Sequence, residues 1–372
     1  MSSKSVSLIS NQTFLAKFLS LDQPKDKIQV TYVYEYPGNR DSDGHYYPQL
    51  CAKTKVIDFV PNNVNDLPVW CSGSMYSFKE EVYMKPVRIY SDPFRGGNNK
   101  LVLCETYTDE MTPHPVNHRH SCNESMKMAS DDKPWFGFEQ EYILLDGNTN
   151  RPLGWPKGGY PKHPTELDVI YFQGIGANRV VGRDVVEAHF RACLYAGVNI
   201  TGENAEGLLA QWEYQIGPSE GILLGDDVMM SRYILHRVAE MLNIVITFDP
   251  KPVPGWFGSG GHMNFSTAGM RAKGGITQID SAVDKLSKRH AHHIKVYDPR
   301  GGLDNQRRLQ GAAFTSKIDD FTSGVADRST SVRIPKQVAQ AGCGFIEDRR
   351  PASNCDPYQV TEALVRTCCL NE

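Results

Sequence analysis

At roughly 150 residues per domain, a chain of 372 residues is expected to divide into about two domains rather than to fold around one core. Its 43 acidic and 40 basic residues leave a formal charge of −3, which gives no electrostatic reason to bind nucleic acid or an anionic membrane, so small-molecule partners are expected. The N-terminal Met1-Ser-Ser-Lys-Ser-Val-Ser-Leu8 lacks a signal-peptide core, no apolar run is long enough to span a bilayer, and the nine cysteines form no Cys-x-x-Cys; the expected compartment is a reducing cytoplasm, without disulfides or a zinc site.

Taken in order, residues 1–25 carry Phe14, Leu15, Phe18 and Leu19 at helical spacing and end near Asp22-Gln-Pro24, which predicts a short amphipathic arm. Residues 26–110 hold β-rich stretches such as Ile28–Tyr34 and Lys100–Cys104 between Asn/Pro/Gly loops, the pattern of a small sheet domain. The polar segment Thr108–His120 reads as a linker. From there, residues 111–372 mix strands with periodic helices: Arg183–Ala196 with Gly197 as its cap, Asp226–Asn243, Ile276–His293 and Pro357–Leu370. Without regular βαβ alternation, the expected class is α+β.

The chemistry concentrates in four segments. In Trp135-Phe-Gly-Phe-Glu-Gln-Glu-Tyr142, Glu139 and Glu141 lie two apart in an apolar strand pattern, so both carboxylates share one face, about 6.6 Å apart. Buried acids need arginines or divalent cations, which makes the pair a candidate wall of a metal site. A second pair, Glu206 and Glu213, reads either as a solvated helix face, because seven residues span two turns, or as a strand, because Gln211–Ile216 alternates. In Trp256-Phe-Gly-Ser-Gly-Gly-His-Met-Asn-Phe-Ser266 a glycine run that is no P-loop leads into a strand presenting His262, Asn264 and Ser266 on one face. Last come arginines: Arg307, Arg308, Arg328, Arg333 and the run Glu347-Asp-Arg-Arg-Pro351. Guanidinium matches phosphate and carboxylate in bidentate geometry, so arginines beside clustered acids point to a phosphorylated nucleotide, an anionic substrate and phosphoryl transfer. Lys288-Arg-His-Ala-His-His293, by contrast, reads as a solvated helix face.

Glu139-Gln-Glu141, Asn204-Ala-Glu206, Gln211-Trp-Glu213, Gly258-Ser-Gly-Gly-His262 and Phe345-Ile-Glu-Asp-Arg-Arg-Pro351 together resemble the glutamine synthetase family, of the shorter eukaryotic kind, and the likeness runs nearly end to end. The resemblance implies an N-terminal β-grasp domain and a larger catalytic domain with a curved antiparallel sheet and flanking helices. It also implies assembly as a ring, a homodecamer, with sites between neighbouring subunits. By position, Glu141, Glu206 and Glu213 would hold one Mg²⁺ or Mn²⁺, and Glu139, His262 and Glu347 a second beside the ATP phosphates. Arg328 and Arg333 would bind phosphate; Trp135, Asn264, Ser266 and Phe345 would complete the nucleotide site together with Glu139 and Glu213. The amino-acid substrate would meet Glu141, Glu206, Trp256, Gly258, Arg308, Arg328 and Arg349, with Arg328 and Arg349 as the catalytic arginines.

The family reaction is ATP-dependent phosphorylation of glutamate's side-chain carboxylate, followed by attack of ammonia. Everything the first step needs is present, while the second step's acids are missing. The family's Asn-Phe-Asp-Gly-Ser-Ser after the tryptophan is here Trp70-Cys-Ser-Gly-Ser-Met-Tyr76, without the aspartate that helps bind ammonium. The flap reads Gly311-Ala-Ala-Phe-Thr-Ser316, with Phe314 in place of the glutamate that assists deprotonation. Phe257 replaces an asparagine of the glutamate loop, and Lys162–Ile170 is longer than the family's loop. The changes favour an amine larger than ammonia over ammonium itself. Two other outcomes follow from the same pattern: an orthodox enzyme with a substitute acid, Glu80 or Glu81, or a catalytically impaired paralogue with a structural or regulatory role in the ring.

Overall fold

The computed structural model describes residues 15–36, 48–73, 81–161, 171–311 and 314–372, and two sheets organise them in an α+β fold. The first sheet contains β1 (Ile28–Tyr36), β2 (Gln49–Ile57), β3 (Trp70–Gly73), β4 (Glu81–Ser91) and β5 (Lys100–Tyr107), in the order β2-β1-β5-β4-β3. Strand β1 is antiparallel to β2 and parallel to β5. Its period of two feeds two interiors: Val30, Tyr32 and Tyr34 join a small core, whereas Val33 joins the large one. The outer strands curl toward each other, with Lys53 of β2 donating to the Cys71 carbonyl of β3 at 3.0 Å and lying 4.0 Å from the Trp70 ring centre.

The second sheet holds β6 (Trp135–Asp146), β7 (Ile200–Ala205), β8 (Gln211–Glu220), β9 (Ile244–Thr247), β10 (Gly261–Ser266), β11 (Ser323–Val325), β12 (Val332–Ile334) and β13 (Ile346–Asp348). They run β11-β12-β13-β10-β6-β8-β7, with β9 paired to the far end of β6. Trp212, Tyr214 and Ile216 of β8 are buried in the large core, which they share with the helix Leu223–Met241. The alternate residues Gln211, Glu213 and Gln215 turn to the other face, where the cavity lies. A polar seam joins the first sheet to the helix Leu223–Met241: Arg119, at the start of the helix His118–Met128, donates to Glu105 and to Asp226, each at 2.7 Å, and Arg88 reaches Asp227 at 3.0 Å.

Several sequence expectations change. The predicted linker ends earlier, because Asn117 caps a helix beginning at His118 by accepting from the His120 amide. The helix read as Asp226–Asn243 spans Leu223–Met241. Arg183–Ala196 ends as expected at Gly197, whose φ of 88° few other residues tolerate. The single helix expected over Ile276–His293 is two, Ile276–Lys288 and His290–Val296, broken at Arg289. Pro357–Val365 is followed by a wider π turn, Arg366–Leu370.

The histidines that read as a solvated face are a correction as well. His290 and His293 are buried; His293 meets the Tyr297 hydroxyl at 2.6 Å and the Thr367 hydroxyl at 2.9 Å, and His290 Nε2 donates to the Ile318 carbonyl at 2.7 Å. They pack around Arg350, which is wholly buried and paired with Asp348 at 2.7 Å, so burial of that ion pair sets where this helix face points. Of the amphipathic arm, Phe14 lies outside the described residues, while Leu15, Phe18 and Leu19 are exposed on a short helical turn. All nine cysteines are free thiols, and no described helix is long and apolar enough to cross a membrane.

Candidate active site

Strand register brings the acids together. Across β6 and β8, Glu141 stands opposite Glu213 and Glu139 opposite Gln215; across β6 and β10, Glu139 stands opposite His262. Asn204 on β7 faces Glu213, and Glu347 on β13 pairs with Asn264 on one side and Arg333 on the other. Glu213 therefore sits on a strand, and Glu206 follows directly after β7; the helical reading of that pair gives way. Glu139, Glu141, Glu206, Glu213 and His262 border one cavity of about 560 Å³, with Arg308, Arg328, Arg333 and Arg349 on its walls.

Among the described residues, the hydrogen bonds to Glu141, Glu206 and Glu213 come from amides rather than cations. Glu141 Oε2 accepts from Gln211 Nε2 at 3.1 Å and from the Gly260 amide at 3.0 Å. Glu206 accepts from Asn204 Nδ2 and the Gly207 amide, each at 3.1 Å. Glu213 accepts from Gln215 Nε2. Burial and then mutual repulsion are the consequence: Glu141 is pushed up to about 8 by desolvation and the Glu206 charge. Desolvation lifts Glu206 to about 7, and it lifts Glu213 well above the carboxylate range with help from Glu139, Glu141 and Glu206.

The other side of the cavity is cationic. Glu347, fully buried, accepts from Arg349 Nη1 at 2.6 Å and from Arg333 Nε. Arg349 Nε is buried and has no hydrogen-bond partner among the described residues. Arg308 is committed elsewhere in part: its Nη2 donates to the carbonyls of Arg349, Arg350 and Pro351 at 2.8 to 3.1 Å, and its Nε to Asn305 at 2.9 Å. His262 Nδ1 lies 3.4 Å from Glu139 and 3.7 Å from Glu347, and Nε2 lies 3.8 Å from Glu141. Desolvation and the neighbouring Arg349 hold its pKa well below the usual value, so the imidazole is neutral with a lone pair free for a metal.

A second cavity of about 410 Å³ adjoins the first; Glu139 and Gln215 border both. It is walled by Trp135, Asn264, Ser266 and Phe345, all read from the sequence, and by Arg271, which was not. Arg271 lies 4.1 Å from the Trp135 ring centre and donates to Ser266 Oγ at 2.9 Å. The only sequence signal for it is position: it closes the short turn Ala268–Arg271, capped by Thr267 just beyond β10.

Not every expected residue reaches the space. Gly258 borders the first cavity, but Trp256 packs 5.1 Å from Trp155 in a separate apolar cluster behind it. At the mouth stand Tyr171, Phe172, Phe257 and Phe314, the last 64 % exposed with a φ of 70°. Ala312, Ala313, the stretch 74–80 with Glu80 at its end, and the loop 162–170 lie outside the described residues. Glu81 begins β4, is exposed and accepts from the Tyr83 hydroxyl at 3.0 Å.

Donor atoms of Glu139, Glu213 and His262 lie within 4.8 Å of one another, a grouping that takes members from both expected metal triads. Carboxylates that repel one another, accept hydrogen bonds chiefly from amides among the described residues and share a space with a neutral imidazole are a donor set suited to hard divalent ions such as Mg²⁺ or Mn²⁺.

Comparison with known proteins agrees with this chemistry. The family model described as glutamine synthetase, catalytic domain, matches residues 119–294. A glutamine synthetase of Panulirus argus is 53% identical over 369 residues, 98% of this chain and 99% of its own length. Cytoplasmic glutamine synthetase 2 of Drosophila melanogaster is 49% identical over 368 residues (97% and 96%), and a glutamine synthetase of Rattus norvegicus 50% over 368 residues (97% and 95%). The chain belongs to the glutamine synthetase family.

Proposed function

We propose that this protein is an ATP-dependent ligase of the glutamine-forming type: it activates the side-chain carboxylate of glutamate by phosphoryl transfer and joins it to ammonia or, as the altered mouth favours, to a larger amine. One observation carries the reading. Three acids held by neutral amides, Glu141 and Glu213 buried and Glu206 partly so, share a single cavity with four arginines, the arrangement that metal-assisted union of two anions requires.

In this reading Glu139, Glu141, Glu206, Glu213, His262 and Glu347 hold Mg²⁺ or Mn²⁺, which when bound screens the phosphates and draws charge from the transferred group. Trp135, Asn264, Ser266 and Phe345 receive the nucleoside, with Arg271 bracing Trp135. Arg333 and Arg328 neutralise phosphate oxygens, and Arg349, with its free buried Nε, orients the carboxylate that is phosphorylated. Gly258 and Arg308 shape the amino-acid end of the cavity, and Trp256 supports it from behind. Phe257, Phe314, Tyr171 and Phe172 offer apolar surface to the incoming amine and no carboxylate to ammonium. The exposed apolar side chains Leu15, Phe18 and Leu19 support assembly into a ring of identical subunits.

The test is an amine panel. Purified protein is given ATP, Mg²⁺ or Mn²⁺, glutamate and a series of amines including ammonium, and phosphate release and product masses are followed. A glutamyl-amide supports the larger-amine reading and glutamine alone the orthodox one. An intact ring that releases no phosphate with any of them overturns the catalytic reading in favour of a structural paralogue.

A further inference from the structure

Behind the acids runs a connected row of carboxamides. Gln211, Glu213 and Gln215 alternate along β8, so one face of the strand reads amide, acid, amide. Gln215 Nε2 donates both to Glu213 and, at 3.0 Å, to Asn204 Oδ1; Asn204 Nδ2 then donates to Glu206 at 3.1 Å. One chain of neutral donors thereby ties Glu213 on β8 to Glu206 just beyond the end of β7. Gln215 also stands where the two cavities meet.

The sequence makes room for this side chain. Gly202 on β7 lies directly opposite Gln215, and a Cβ there would overlap the Gln215 carboxamide oxygen. Gly202 is not among the residues with positive φ, so the backbone does not require glycine at this place; space for the amide does.

We infer that Gln215 is a positioning residue for divalent-ion binding: seated over Gly202 and braced on Asn204, it fixes the Glu213 and Glu206 carboxylates without neutralising them. A lysine or arginine in its place would cancel charge that the ion needs, and an acid would add repulsion and lose the N–H donor. The amide orients one oxygen and leaves the other for the ion. This inference rests on the divalent-ion reading given above.

The experiment is a Mn²⁺ titration of the full-length protein followed by electron paramagnetic resonance, without nucleotide or substrate, with circular dichroism as the check on folding. Gln215→Leu should weaken Mn²⁺ binding about 10- to 100-fold, the usual consequence of losing a partner that orients a metal ligand. Gly202→Ala, which keeps the amide but displaces it, should weaken binding in the same direction. The double variant should be no worse than Gln215→Leu, because both changes act through one side chain. Unchanged affinity in a folded Gln215→Leu protein overturns the inference. Should that variant not fold, unchanged affinity in Gly202→Ala overturns it instead. Absence of Mn²⁺ binding by the unaltered protein sinks the divalent-ion reading itself, and losses confined to the variants keep the two failures distinct.

Discussion

Glu347 and Asp348 are neighbours on β13, both fully buried and both paired with arginine, yet they serve different regions of the molecule. Asp348 points into the packing behind the sheet, where burial alone would raise its pKa, but the Arg350 guanidinium and the Tyr297 hydroxyl override this and hold it below the usual carboxylate range. Glu347 is held between Arg333 and Arg349, which border the cavity, and across that cavity lie Glu141, Glu206 and Glu213, which have amides for company and pKa values pushed up. The first region is a closed circuit of charge and serves the fold. The second is left open, and an uncompensated buried charge is costly unless something outside the chain compensates it.

The sharpest way to break this contrast is to remove one partner on each side. Glu141→Gln should lower metal- and ATP-dependent phosphate release by about a thousandfold, several kcal/mol of lost stabilisation, while unfolding of the metal-free protein shifts little or to higher temperature. Arg350→Met should do the reverse, costing about 3–5 kcal/mol of stability by leaving Asp348 unpaired, with metal affinity of the folded fraction retained. Urea unfolding and phosphate release measured on both variants decide the matter; parallel losses in both assays would erase the distinction.

Next in size is the flap. Phe314→Glu restores an acid at the cavity mouth and should raise ammonium-dependent amide formation about 10²-fold, within the range of general acid–base assistance. Initial rates of glutamine formation check it, and no increase removes the reading of Phe314 as the flap position. Smaller again is a dependence on pH. Glu141, at about 8, and Glu206, at about 7, bind protons more tightly in the folded than in the unfolded chain. Their contribution to stability is therefore present at low pH and is lost as pH rises from near 4.5 through 8. The metal-free protein should show a falling thermal midpoint over that window, flattened in Glu141→Gln and reversed by Mn²⁺. Smallest is Arg271→Leu, which removes a cation from the Trp135 face and should raise the KM for ATP a few-fold, about 0.5–1 kcal/mol, with kcat unchanged.

How far the site was legible follows from the same contrast. Glu139 and Glu141 could be read because a strand's period of two shows in the chain itself, and Gln211–Ile216 carried the same signature for Glu213. The loss of two second-step acids is read from motif differences at Phe314 and Trp70–Tyr76 alone, and the amine panel and Phe314→Glu are what test it. His290 and His293 were misread because their direction depends on Arg350, far along the chain, and on a helix break at Arg289 without proline or glycine. The Gln215–Asn204 brace and Arg271 were missed for a related reason: cross-strand register and a turn after β10 place them, and neither leaves a local pattern. Helix ends moved by a few residues wherever no strong cap marked them.

The most direct test of the open-circuit account is calorimetry of nucleotide binding with and without Mn²⁺, using a non-hydrolysable ATP analogue and the unaltered protein. The account predicts that Mn²⁺ tightens nucleotide binding, that nucleotide tightens Mn²⁺ binding by the same factor, and that Glu141→Gln abolishes the coupling. Nucleotide affinity indifferent to Mn²⁺ would contradict it.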